Sequence, residues 1–179
     1  MGYAMPGQTT KGIHLRVYAR AYIFAPTADS TNRVVFVNCE MGMMSQLVKL
    51  DVLKKLEASY GSLYTANNVM LSGTHTHSGT AGFFQYFIFE VTSLGFVKES
   101  HDQFVRGIVE AIEKAHNSMQ PSRMYLATGE LTNAQANRSP TAYLMNPAAE
   151  RAMYPSDTDY HMHLLRINDN NGDGRAMIK

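Results

Sequence analysis

The order of three segments between Arg33 and Thr74 constrains the fold most. Residues 33–38 (RVVFVN) form a short β-branched run, typical of a buried strand. Residues 68–74 (NVMLSGT) form another. Between them Leu47, Leu50, Leu53 and Leu56 recur at helical spacing, with Lys49, Lys54, Lys55 and Glu57 outside. Ser45 can cap that helix, and Gly61 can stop it after Tyr60. A helix set between two buried strands commits the chain to the α/β class.

The remaining segments continue the alternation. Within residues 12–25, Ile13, Leu15 and Val17 alternate with Arg16 and Arg20 on the opposite parity, which predicts a strand. Ser100 or Asp102 opens a second helix through Phe104, Ile108, Ala111, Ile112 and Ala115, ending before Pro121. Residues 124–128 read as a strand. Residues 140–155 read as irregular, with one helical turn at 147–151. Residues 161–167 and 175–178 read as two strands around a turn at 168–174. No internal repeat or low-complexity segment is visible. The predicted order is β-β-α-β-α-β-β-β, an α/β fold with a mixed β-sheet core flanked by helices.

Composition narrows the function. At 179 residues the chain can build one ordinary domain with a core. Hydrophobic residues at 45% against 17% charged residues exclude a disordered chain. Sixteen basic side chains balance fifteen acidic ones, so no cationic surplus points to nucleic acid. The longest apolar stretches, such as residues 83–91, are interrupted by Gln85 and Glu90 and are too short to span a bilayer. A lone cysteine, Cys39, excludes an internal disulfide and reads as a buried small hydrophobe. The opening MGYAMPGQTTKG lacks the apolar run of a signal peptide, and Pro6 sits where a myristoylation signal wants Ser or Thr.

Four places can carry chemistry. Gly73-Thr74-His75-Thr76-His77-Ser78-Gly79 closes the strand at residues 68–74. Two histidines two apart on an extended chain face the same way and can reach one metal or one substrate. Gly79 and Gly82 let the backbone pass close to a ligand. Such pairs also arise by chance at strand ends, but the small neighbours and the buried strand leading in favour a site. Asn137-Arg138-Ser139-Pro140 offers an arginine fork for an oxyanion or a hydroxyl pair. On spacing alone a surface loop arginine is the better reading. The same residues spell a glycosylation sequon, which the following Pro140 disfavours. His161-Met162-His163 is a second such pair and, with His75 and His77, raises a four-histidine metal site. The plainer reading puts those histidines outward, with Met162 and Leu164 inward. Asp169-x-Asn171-x-Asp173-Gly174 matches the first half of a calcium loop, but flanking strands make it a polar hairpin turn.

With these blocks in order, the sequence resembles the neutral ceramidase family, the N-acylsphingosine amidohydrolases. The resemblance begins at Met1-Gly2-Tyr3, Gly12-Ile13 and Arg16-x-Tyr18-x-Arg20-Ala21. It continues through Met43-x-Ser45-Gln46, Tyr60-Gly61-x-Leu63-Tyr64, Leu71-Ser72-Gly73-Thr74-His75-Thr76-His77-Ser78-Gly79 and Ala81-Gly82-x-Phe84-Gln85-Tyr86. It ends with Ala115-His116, Asn137-Arg138-Ser139-Pro140, Tyr143-Leu144-x-Asn146-Pro147 and Glu150-Arg151-x-x-Tyr154.

The resemblance implies a zinc (Zn2+) amidohydrolase that splits ceramide, at a membrane surface, into sphingosine and a fatty acid. It implies that His75 is a zinc ligand, that His77 lies at the catalytic centre without ligating, and that Arg138 lies in the active site. Phe83, Phe84, Tyr86 and Phe87 can line an apolar cleft for the alkyl chains, or equally pack a core. The family is secreted or held at the cell surface and membranes. Its chain is longer, so residues 1–179 read as the N-terminal part of the catalytic domain, truncated at both ends. The remaining ligands (a second His, a Glu and a Tyr) then lie beyond Lys179, and the isolated chain is expected to be inactive. Thr80 replaces a proline usual after H-S-G, and Glu40 stands where the family has Asp. His161 and His163 fall where the family has no histidine pair. Two other readings stand beside this one: a small self-contained His-rich metalloprotein, and an inactive piece that keeps lipid or partner binding only.

Overall fold

The computed structural model describes residues 7–169 and the backbone of residues 174–178. The chain divides into two compact units, Met1–Met119 and Gln120–Lys179, where length alone predicted one domain. Each unit is built on its own three-stranded sheet, so the α/β expectation holds with two sheets in place of one.

In the first unit β1 (Ala19–Phe24) runs antiparallel to β2 (Val34–Cys39), and β2 runs parallel to β3 (Val69–Gly73). The helix α1 (Gln46–Tyr60) makes the crossover between the parallel pair. Its ends are those predicted. Ser45 Oγ accepts the Val48 N–H at 3.4 Å, and Gly61, at φ 59°, donates its N–H to the Glu57 carbonyl. The buried stripe differs. It is Val48, Val52 and Leu56, while Leu50 is 55% exposed. A three-residue step falls about 60° short of a full turn, so leucines spaced by three cannot all share one face.

β1 is shorter than predicted. Ile13 and Leu15 lie upstream of it and are exposed at 85% and 76%. β2 supplies partners only as far as Cys39↔Ala19, followed by one more contact, Glu40 N–H to the Tyr18 carbonyl at 2.9 Å. Alternation without a partner strand does not make a strand. After β3 the chain forms α2 (Phe87–Ser93), which the sequence reading missed, and then α3 (Lys98–Asn117). α3 starts before both predicted caps. Its N-cap position is Val97, whose N–H donates to the Gly82 carbonyl at 2.7 Å. A backbone contact therefore fixes the entry of α3, where a side-chain cap was expected. Val105, Ile108, Val109 and Ile112 of α3 join the α1 stripe, Val35, Val37 and Val69 of the sheet, and Phe83 in one core.

In the second unit β4 (Ser122–Glu130), β5 (His161–Asp169) and β6 (Gly174–Ile178) form an antiparallel sheet in that order. Asn168 pairs with Gly174, so two strands flank the predicted turn. Residues 170–173, which carry most of the calcium-loop pattern, lie outside the described residues. The stretch read as irregular holds two short helices, α4 (Pro140–Leu144) and α5 (Ala148–Arg151). α5 is the expected turn. α4 was missed, although Pro140 at its first turn is a recognised start signal.

Candidate functional site

The parallel ladder carries β3 one residue past its last strand residue, with Thr74 N–H donating to the Cys39 carbonyl at 2.9 Å. The chain then leaves the extended region, because His75 adopts φ 61°. Strand alternation therefore does not set the facing of His75 and His77. The pair comes together by another route: the two rings meet edge to face, 4.8 Å between centroids and 85° apart. Ser78 N–H donates to Thr76 Oγ1 at 3.2 Å and closes the loop beyond them.

The position of His75 is defined by one contact. Its Nδ1 lies 2.7 Å from the carbonyl oxygen of Gly42, in the bend between β2 and α1. A carbonyl oxygen can only accept, so Nδ1 carries the proton and the neutral ring keeps its lone pair on Nε2. A single imidazole nitrogen is thus directed for use as a ligand. Among the described residues, no group of three or more His, Cys, Asp or Glu side chains is gathered that could hold a metal ion.

His77 borders a cleft of about 1040 Å³ within the first unit, walled by residues 8–19, by Glu40 and Met41, and by Phe104 and Arg106 of α3. Glu40 organises one wall. Its Oε1 lies 2.7 Å from Arg20 Nη1, and its Oε2 accepts the Tyr18 N–H at 3.0 Å. The longer carboxylate at this position is therefore fully engaged. Cys39, also on this cleft, is 1% exposed, and burial pushes its thiol up to about 12, which favours the protonated form.

Other expectations divide. Gly82, at φ 81°, packs closely on Val97; a Cβ there would lie 2.5 Å from Val97 Cγ2. Phe83 and Phe84 are core residues, 0% and 4% exposed, while Phe87 is 80% exposed. Arg138 belongs to the second unit and is exposed in the bend before α4. Asn137 Oδ1 accepts the Ser139 N–H at 2.8 Å and shapes that bend. His161 and His163 are exposed on β5, with Met162 and Leu164 half-buried, as the plainer reading had it. His161 Nδ1 lies 3.0 Å from Asp159 Oδ1, and His163 Nδ1 lies 3.1 Å from Thr128 Oγ1.

Two polar clusters escaped the sequence reading. His101 is buried between α3 and α1, its Nδ1 3.2 Å from Asp102 and its Nε2 3.3 Å from Asp51 without hydrogen-bond geometry. Arg33, also buried, donates to Tyr64 Oη at 3.1 Å, and its Nη1 lies 3.2 Å from His116 Nδ1. Tyr64 Oη lies 2.6 Å from the same His116 nitrogen, the shorter of the two contacts that nitrogen makes. Tyr64 and His116 both lie inside the family blocks, Tyr60-Gly61-x-Leu63-Tyr64 and Ala115-His116, but nothing in their spacing joins them to Arg33.

The family described as neutral/alkaline non-lysosomal ceramidase, N-terminal, matches residues 1–179. The chain belongs to this family. It is 50% identical to neutral ceramidase A of Dictyostelium discoideum over 179 residues, covering 99% of this chain and 25% of that protein. It is 49% identical to neutral ceramidase 2 of Arabidopsis thaliana over 169 residues, covering 94% and 22%. The crystal structure of neutral ceramidase from Pseudomonas aeruginosa matches with a TM-score of 0.91 at 42% identity, over 99% of this chain and 28% of that one. A ceramidase complexed with C2 matches with the same TM-score and identity, over 99% and 27%. The chain thus spans about a quarter of the length of these ceramidases.

Proposed function

We propose that these residues supply the early part of a zinc-dependent hydrolase that splits the amide of ceramide into sphingosine and a free fatty acid. His75 is one zinc ligand in this reading. The observation that carries it is the His75 Nδ1 contact with the Gly42 carbonyl. Metal-bound histidines donate their other ring N–H to a carbonyl or carboxylate, which fixes the tautomer and raises ligand basicity. His75 fits that role. The described residues offer no complete ligand set, so the remaining ligands come from the longer family chain and turnover requires them.

When bound, zinc supplies Lewis acidity toward water and toward the amide carbonyl. The chain's own residues do the rest. His77, in edge contact with His75, is placed to donate to or carry a proton from the reacting centre. Arg138 offers its guanidinium fork to the developing oxyanion. Exposed Tyr86 and Phe87 offer apolar surface to the alkyl chains of the substrate at a membrane surface. None of the helices among the described residues is long and apolar enough to cross a membrane. A secreted or cell-surface setting accompanies this proposal.

The test is a chimaera in which these 179 residues replace the matching segment of neutral ceramidase A from Dictyostelium discoideum. The chimaera should hydrolyse ceramide and hold zinc. His75→Ala should reduce hydrolysis to background and lower the zinc content. Arg138→Ala should cost about 10²–10³ in kcat, the range for loss of an oxyanion donor, with zinc retained. An active, zinc-replete His75→Ala chimaera sinks the reading.

A further inference from the structure

We propose that Gly73 and the bend at residues 41–43 act as a positioning device that selects the coordinating nitrogen of His75; this rests on the reading of His75 as a ligand. A Cβ built on Gly73 would lie 3.2 Å from the Met41 carbonyl oxygen and 3.3 Å from both the Cα and the carbonyl carbon of Met43. All three neighbours are backbone atoms, so no side chain can swing aside to make room. Met41 is 1% exposed and belongs to the core cluster, which anchors the bend from behind. Glycine at position 73 therefore sets how closely the end of β3 approaches the bend.

Two further observations tie that approach to His75. Cys39↔Gly73 is the last register pair of β2 and β3, and the next ladder bond is Thr74 N–H to the Cys39 carbonyl at 2.9 Å. The chain is thus held in register up to the residue before the histidine. His75 itself takes φ 61°, a left-handed backbone that a β-carbon disfavours and that persists only where the surroundings impose it. This conformation brings Nδ1 to 2.7 Å from the Gly42 carbonyl, in the centre of the same bend. The unconstrained side chain prefers its proton on Nε2, which would block that nitrogen as a ligand. Close strand-to-bend packing reverses the preference and leaves Nε2 open. Gly73 is then a positioning residue: it touches neither substrate nor metal and acts through the ring of His75.

The test needs no metal and no turnover. The 179-residue chain is isotope-labelled, and two-bond proton–nitrogen correlations of its imidazoles are recorded at mildly alkaline pH. His75 is assigned by its loss in His75→Gln. The expected result is a His75 ring protonated on Nδ1, with that proton protected from exchange. In Gly73→Ala the protection should fall about tenfold, the equivalent of one ordinary hydrogen bond at the upper end of its net worth. A wild-type His75 protonated on Nε2 overturns the proposal, and so does unchanged protection in a folded Gly73→Ala. If Gly73→Ala does not fold, the wild-type tautomer decides alone. An Nδ1–H ring in a protein whose chimaera holds no zinc would leave the positioning device standing and remove the zinc reading.

Discussion

The two units solve the same problem differently. In the first, side chains of α1, α3 and the β1–β2–β3 sheet share one core, and Val35, Val37, Val48, Leu56, Phe83, Ile108 and Ile112 are sealed at 1% exposure or less. In the second, every residue of β4 is exposed, including Met124 at 60% and Leu126 at 73%. Met124 pairs with Ile167 and Leu126 with Leu165, so these four share one face of that sheet. Among the described residues, no hydrophobic side chain of the second unit is buried. Within the described residues, one sheet has a buried core and the other has none. The hydrophobic effect is the dominant stabilising contribution to folding, so the first unit carries the stability of the described chain. It also carries the paired histidines.

The largest test of this contrast is truncation of the core. Phe83→Ala removes a ring at 0% exposure that packs 4.7 Å from Phe84 and 4.8 Å from Phe104 between centroids. It should destabilise the first unit by about 3–5 kcal/mol in urea titrations. Leu126→Thr, at a position 73% exposed on the open sheet, should stay within about 0.5 kcal/mol. Equal losses from the two would mean that the second sheet is covered in solution.

A paired glycine experiment sharpens the contrast at smaller amplitude. Gly82→Ala puts a methyl 2.5 Å from Val97 Cγ2 at φ 81°, at the contact that starts α3. The expected cost is about 1–3 kcal/mol. Gly129, in β4, has nothing within 4 Å of a built Cβ. Gly129→Ala should therefore stabilise by about 0.5–1 kcal/mol, because a strand glycine carries excess chain entropy. Thermal midpoints of the two variants should move in opposite directions.

The same division governs what could be read from the sequence. β2, α1 and β3 were legible because β-branched runs and a capped helix are local signals, and Ser45 and Gly61 act locally too. The four leucines do not form one stripe, because steps of three residues drift around the helix. Val48 and Val52 carry the contact together with Leu56. The pairing of His75 with His77 was legible, but its cause was not. A backbone carbonyl 33 positions away leaves no trace in side-chain identity, and a positive φ at a histidine has no local signature. Ile13 and Leu15 alternate as a strand should, yet pairing is a property of the partner. α2 was hidden because seven mostly apolar residues are too few to show a period.

Cys39 supplies the smallest effect and ties the contrast to pH. It ends β2, is 1% exposed, and burial raises its thiol from the ordinary 9.0 to about 12. The folded unit thus binds this proton more tightly than the unfolded chain does. Its contribution is fully present below about pH 9 and is lost as pH rises toward about 12. Urea midpoints should therefore decline across that window in the wild-type chain. Cys39→Ala should lower stability at neutral pH through the lost packing but decline less steeply above it. Parallel slopes in the two proteins would refute the assignment. The lone thiol also reports on the first unit alone: alkylation at neutral pH should follow the opening of that core, and should be slower than exchange of the β4 amides, which no core protects.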